Sequence, residues 1–152
     1  MNTTERARCD QSERQRLWAR ITSADAANMH GLRRQLTAAL TRWVDADVVD
    51  TTALLSSELL GNALQHACTP RGGCPWVTLS ALLVDNCLRV EVTDPDPRLP
   101  QRHEAKSDDE HGRGLELMDA LAGDWGVCPR TVGKTVWFTV VSTAARTPEH
   151  AA

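Results

Sequence analysis

Glu58, Asn62 and His66 stand at i, i+4 and i+8 in a stretch, residues 58–66, that is otherwise mostly Leu and Ala. On a helix this spacing stacks the three side chains along one narrow stripe. Leu55 and Leu59 fall on the same arc, so the stripe turns toward the interior. A carboxylate and an amide removed from water must find partners. Either they satisfy one another as a polar seam, or they serve a ligand. Their oxygens suit a hard cation such as magnesium, and the carboxylate suits proton abstraction. The nonapeptide alone leaves both readings open.

Two later features bear on that choice. Asp94 closes an alternating run and opens Asp94-Pro95-Asp96-Pro97. A carboxylate at a strand end can accept a hydrogen bond from an exocyclic amine, which would separate adenine from guanine. Gly112-Arg113-Gly114 then opens a helical pattern through Leu115, Met118 and Leu121. A glycine-rich helix entry offers free N–H groups and the positive end of the helix dipole, which suits phosphate. Residues 101–111 hold no large apolar side chain, so a mobile loop is expected there, able to close over phosphates as a lid. Taken singly, the first feature is a common turn and the second a common helix cap. Their order along the chain is the stronger signal. Gly133-Lys134-Thr135 imitates the end of a P-loop, but the glycine required five positions earlier is Cys128, and Thr135 begins a strand instead of a helix. That reading fails.

The elements that position these residues follow from periodicity. Leu17, Ala19 and Ile21 alternate as a first strand, and Met29, Leu32, Leu36, Leu40 and Trp43 mark a helix from Ala26. Asp50-Thr51-Thr52 offers N-cap chemistry for the helix that carries the stripe, and Pro70 with Gly72-Gly73 ends it near Ala67. Val77–Val84 and Cys87–Thr93, joined by Asp85-Asn86, read as a β-hairpin. Thr135–Val141 reads as a buried strand. The class is α+β. A domain over 17–143 is expected, between disordered tails at 1–16 and 144–152.

Composition sets loose bounds. A chain of 152 residues, 41% hydrophobic and 24% charged, is most simply one globular domain. A net charge of −3 gives no electrostatic case for nucleic acid or an anionic membrane. The five cysteines (Cys9, Cys68, Cys74, Cys87 and Cys128) are odd in number and form no Cys-x-x-Cys pair. That argues against a disulfide scaffold and for a reducing cytosol. His66, Cys68 and Cys74 lack a fourth zinc ligand at standard spacing. No signal peptide or transmembrane stretch is legible, so a cytoplasmic location is expected.

Together these motifs give the chain a resemblance to the GHKL (histidine-kinase-like) ATPase superfamily. Residues 58–66 resemble its N box. Asp94-Pro95-Asp96-Pro97 with Pro100 resembles its first glycine box, Gly112-Arg113-Gly114-Leu115 its second, and residues 133–138 its closing strand. Within the superfamily the chain is most similar to the anti-sigma-factor serine/threonine kinases, small ATP-binding regulators of actinomycetes. The resemblance implies a two-layer α/β sandwich with a mixed, mostly antiparallel sheet and helices on one face. It implies ATP and Mg2+ as cofactors. Asn62 would ligate the magnesium, Glu58 would be the catalytic base, and Asp94 would bind the adenine amine. Gly112, Arg113, Gly114 and Leu115 would hold phosphates, His66 would lie within reach of them, and Thr135 would sit beneath the nucleotide. The implied partner is an anti-sigma-factor antagonist protein, a sigma factor or both, with a homodimer as the family's habit.

The chain also departs from the pattern. Pro95, Asp96 and Pro97 replace the usual glycines of the first box, and the lid (Asp108-Asp109-Glu110) is acidic. Sensor histidine kinases usually carry Asn where this chain has Glu58, and they need a phospho-accepting helical hairpin for which there is no room. The activity implied is therefore transfer to a serine or threonine of a small antagonist protein. The alternative is a module that sequesters a partner without phosphotransfer. Slow ATP hydrolysis, as in the gyrase and chaperone branches, would use the same Glu58.

Overall fold

The computed structural model describes residues 16–67, 75–98 and 114–143. In chain order these form β1 (Arg16–Ser23), α1 (Ala26–Leu40), α2 (Ala46–Ala67), β2 (Trp76–Val84), β3 (Cys87–Asp94), α3 (Gly114–Leu121), β4 (Asp124–Pro129) and β5 (Lys134–Val141). The strands make one sheet in the order β1-β2-β3-β5-β4, and each pairing is antiparallel. The arrangement is α+β, as expected. Both tails and the lid segment 101–111 lie outside the described residues, except that β1 takes in Arg16.

Alternation decides which face of the sheet carries the core. Leu79, Val90 and Phe138 are fully buried, and register pairs Leu79 with Val92 and Val90 with Phe138. Against this face pack Met29, Leu32, Leu36 and Leu40 of α1 and Leu55, Leu59 and Leu60 of α2. Burying one such side chain stabilises the fold by roughly 1.5–3 kcal/mol, so these residues dominate the energetics. The hairpin turn is the two-residue Asp85-Asn86, with Asp85 at φ 54. Asp is one of the few non-glycine residues that tolerates this left-handed region.

Helix entries follow side-chain capping. Asp25 accepts from the Asn28 amide at 2.8 Å and fixes the start of α1. For α2 the expected cap at Asp50 is corrected, because Asp45 accepts from the Val48 amide at 3.1 Å and the helix begins at Ala46. Asp47 in that first turn also complements the helix dipole, and Thr51 and Thr52 fall inside the helix.

Two features differ from the sequence expectations. Strand β4 was not anticipated, because Gly126 and Pro129 interrupt its short pattern. Pro129 is tolerated at the end of an edge strand, and Trp125 and Val127 pack on the core. Cys128, expected as a thiol, is disulfide-bonded, with a partner outside the described residues, whereas Cys87 is free. Disulfides follow distance in the fold, which spacing along the chain does not report. Among the described residues no helix is long and apolar enough to cross a membrane.

Candidate functional site

The site lies where the middle of α2 crosses the ends of β3 and β5. A small pocket there is lined by Asn62, Asp94 and Lys134, with Leu59, Val92 and Val136 as apolar walls. Its enclosed volume is about 10 Å³, room for roughly one water.

Asn62 and Glu58 reach the site because α2 presents one stripe toward α3. The head of α3 is Gly114, and a Cβ there would lie 3.2 Å from Asn62 Nδ2 and 3.5 Å from Glu58 Cβ. A side chain there would need the Asn62 amide to give by a few tenths of an ångström, so glycine eases the approach of the helix N-terminus. The structure thus brings Glu58, Asn62 and Gly114 together. Glu58 and Asn62 are half-buried, and among the described residues neither side chain has a hydrogen-bond partner. They do not form the self-satisfied seam that spacing alone allowed. An amide oxygen so placed fits a magnesium ion, which takes one or two protein ligands and completes its shell with phosphates and water. Among the described residues no cluster of three or more His, Cys, Asp or Glu side chains could hold a metal.

Asp94 is 3% exposed at the end of β3. Its Oδ1 accepts from the Asp96 amide at 2.8 Å and from Lys134 Nζ at 3.2 Å. Lys134 also donates to the Asp96 carbonyl at 2.8 Å. The close approach of β5 to β3 depends on Gly133, at φ 78 directly before Lys134. A Cβ there would land on the Asp94 carbonyl oxygen and 2.6 Å from Pro95 Cα. The prolines of this turn stand where the resembled family has glycines, and the glycine at 133 supplies the clearance from the opposite strand.

Asp96 in turn is clamped by Arg98, with Nε at 3.0 Å from Oδ1 and Nη2 at 2.6 Å from Oδ2. These side-chain hydrogen bonds hold the Asp96 carboxyl down to about 2. A depressed carboxylate contributes stability that is full above its ordinary value near 4 and is lost as pH falls through about 2. An NMR titration of Asp96 should give that low midpoint in the wild type and an upward shift in Arg98→Ala. An unchanged midpoint in the variant would remove Arg98 as the cause.

Other expected site residues fall elsewhere. Thr135 faces the opposite side of the sheet, sharing a 2.7 Å hydrogen bond with Thr93 and accepting from Arg130 Nε at 2.9 Å. It does not line the pocket. Lys134, one residue earlier, does, and sequence reasoning passed over it as part of a false P-loop. Strand parity could have found it, since Lys134 shares a face with Val136 and Phe138. Leu115 is buried in the first turn of α3. His66 belongs to α2, but its side chain, like Gly112 and Arg113, lies outside the described residues.

Residues 22–140 match the family described as histidine kinase-like ATPase domain. An uncharacterized protein of Streptomyces coelicolor is 46% identical over 68 residues, which cover 43% of this chain and 65% of that protein. The blue-light activated histidine kinase of Erythrobacter litoralis is similar at 25% identity and a TM-score of 0.51, over 66% of this chain and 32% of the kinase. The structure of its histidine kinase domain matches at 26% identity and a TM-score of 0.48, over 62% of this chain and 45% of that one. The chain thus spans less than two thirds of each of these relatives. With residues 22–140 matching its model, this chain belongs to the histidine kinase-like ATPase domain family.

Proposed function

We propose that the protein is an ATP-dependent serine/threonine protein kinase that phosphorylates a small antagonist protein and so governs a sigma factor. Family membership implies ATP binding and a regulatory role. One observation supports the finer reading above all. A carboxylate and an amide without partners among the described residues, Glu58 and Asn62, lie side by side at the head of α3. In phosphoryl transfer the protein contributes chiefly positioning and charge stabilisation. Asn62 would hold the magnesium, which supplies charge neutralisation when bound. Glu58 would take the proton of the attacking hydroxyl, the bond from γ-phosphorus to the bridging oxygen would break, and ADP would leave.

The test is incubation with labelled ATP, magnesium and the candidate antagonist proteins of the same cell. Label on a partner protein is the expected result, and ATP binding without transfer to any partner sinks the kinase. Asn62→Ala is expected to abolish magnesium-dependent nucleotide binding while leaving the melting temperature near wild type. Retained magnesium-dependent affinity would refute the metal assignment.

A second reading is a binding module in which ATP orders the site and the protein sequesters a partner without transfer. The altered first glycine box, Pro95, Asp96 and Pro97 in place of glycines, is what favours it.

A further inference from the structure

Of the residues lining the pocket, Lys134 is the cationic one. Its side chain is 4% exposed and that of Asp94 5%. The ammonium has three donors. Two go to Asp94 Oδ1 and the Asp96 carbonyl, and the third has no taker among the described residues. Asp94 Oδ2 likewise accepts no hydrogen bond among the described residues. Withdrawing one member of a buried ion pair is among the costliest local changes in a protein, because the other charge is left unpaired. An entering base therefore meets the pair intact. It meets a carboxylate with one oxygen unclaimed among the described residues and an ammonium 3.2 Å from the other oxygen.

We propose that Lys134 is a specificity-determining residue that opens this site to 6-oxopurine triphosphates as well as to ATP. The inference rests on the site being a nucleotide site. A 6-oxopurine offers a carbonyl oxygen next to a ring N–H. The oxygen takes the third Lys134 proton and the ring N–H donates to Asp94 Oδ2. A lysine on the O6 edge of guanine is a familiar pairing for the same reason. Adenine instead places its exocyclic amine, a donor, beside the ammonium, and it offers a ring nitrogen as the acceptor. A lone carboxylate would favour the adenine amine, and the ammonium beside it evens the balance or reverses it.

The test uses the full chain, with affinities for ATP and ITP measured by calorimetry in the presence of magnesium. In the wild type ITP is expected to bind within about threefold of ATP or more tightly. Lys134→Met is expected to weaken ITP relative to ATP by about tenfold, the loss of one charged hydrogen bond. Should Lys134→Met not fold, Lys134→Gln, which keeps a neutral donor, should show the same shift to a smaller degree. A wild type that prefers ATP by more than about tenfold overturns the proposal, as does a variant that weakens both nucleotides equally. If neither nucleotide binds the wild type or the variants, the nucleotide-site reading fails, and this inference with it.

Discussion

Gly133→Ala is expected to destabilise the protein by at least ~3 kcal/mol and to remove nucleotide binding. Two independent effects act there. The φ of 78 lies in the left-handed region, where a Cβ costs roughly 1–2 kcal/mol. The added Cβ would also meet backbone, the Asp94 carbonyl and Pro95, which no rotamer change relieves. Relief requires β5 to withdraw from β3, which breaks the Asp94–Lys134 register pair and the turn bond from the Arg130 amide to the Gly133 carbonyl. Urea unfolding checks the first part and calorimetry with ATP the second. A loss below ~1 kcal/mol with binding intact would show that the strand ends tolerate separation.

Glu58→Gln is expected to lower phosphotransfer by about 10²–10⁴-fold, the usual contribution of a positioned general base. The substitution keeps the side chain's size and its place beside Gly114 while removing its ability to take a proton. ATP affinity should therefore stay close to wild type, which separates the base from the metal position at Asn62. A turnover effect without a binding effect marks an interaction made only in the transition state. Unchanged transfer would mean that another group accepts the proton. Lost ATP binding would mean that Glu58 holds the site together instead.

How much of this was legible in the sequence depends on which residues act locally. The stripe at 58, 62 and 66 needed only helix periodicity, and α2 carries it over Ala46–Ala67. The hairpin was legible because Asp85-Asn86 can occupy a two-residue turn. Strand β4 was not, since its pairing with β5 is a tertiary fact and its own residues include a glycine and a proline. The start of α2 was misplaced because Asp45 and Asp50 are both plausible caps, and tertiary packing chose the earlier. Thr135, named from the family resemblance, and Lys134, which lines the pocket, stand on opposite faces of β5. A one-residue error in strand parity exchanges the two faces of a sheet. The Lys134–Asp94 pair joins positions 40 apart in sequence, and nothing local announces it.

The two ends of the site differ in how they are built. Asp94 and Lys134 hang from β3 and β5, which lie inside the five-stranded sheet with a neighbour on each side. Gly114 heads a helix of only eight residues that lies outside the sheet. Segments with sparse packing open locally long before the whole protein unfolds, whereas central strands open only with it. In the proposed nucleotide site the Asp94 end thus sits on strands that open only with the fold, and the Gly114 end on a short helix that can open by itself. On the proposed reading, a bound nucleotide would be let go from the Gly114 end first, and its residence time would follow the opening of one short helix more than the stability of the fold.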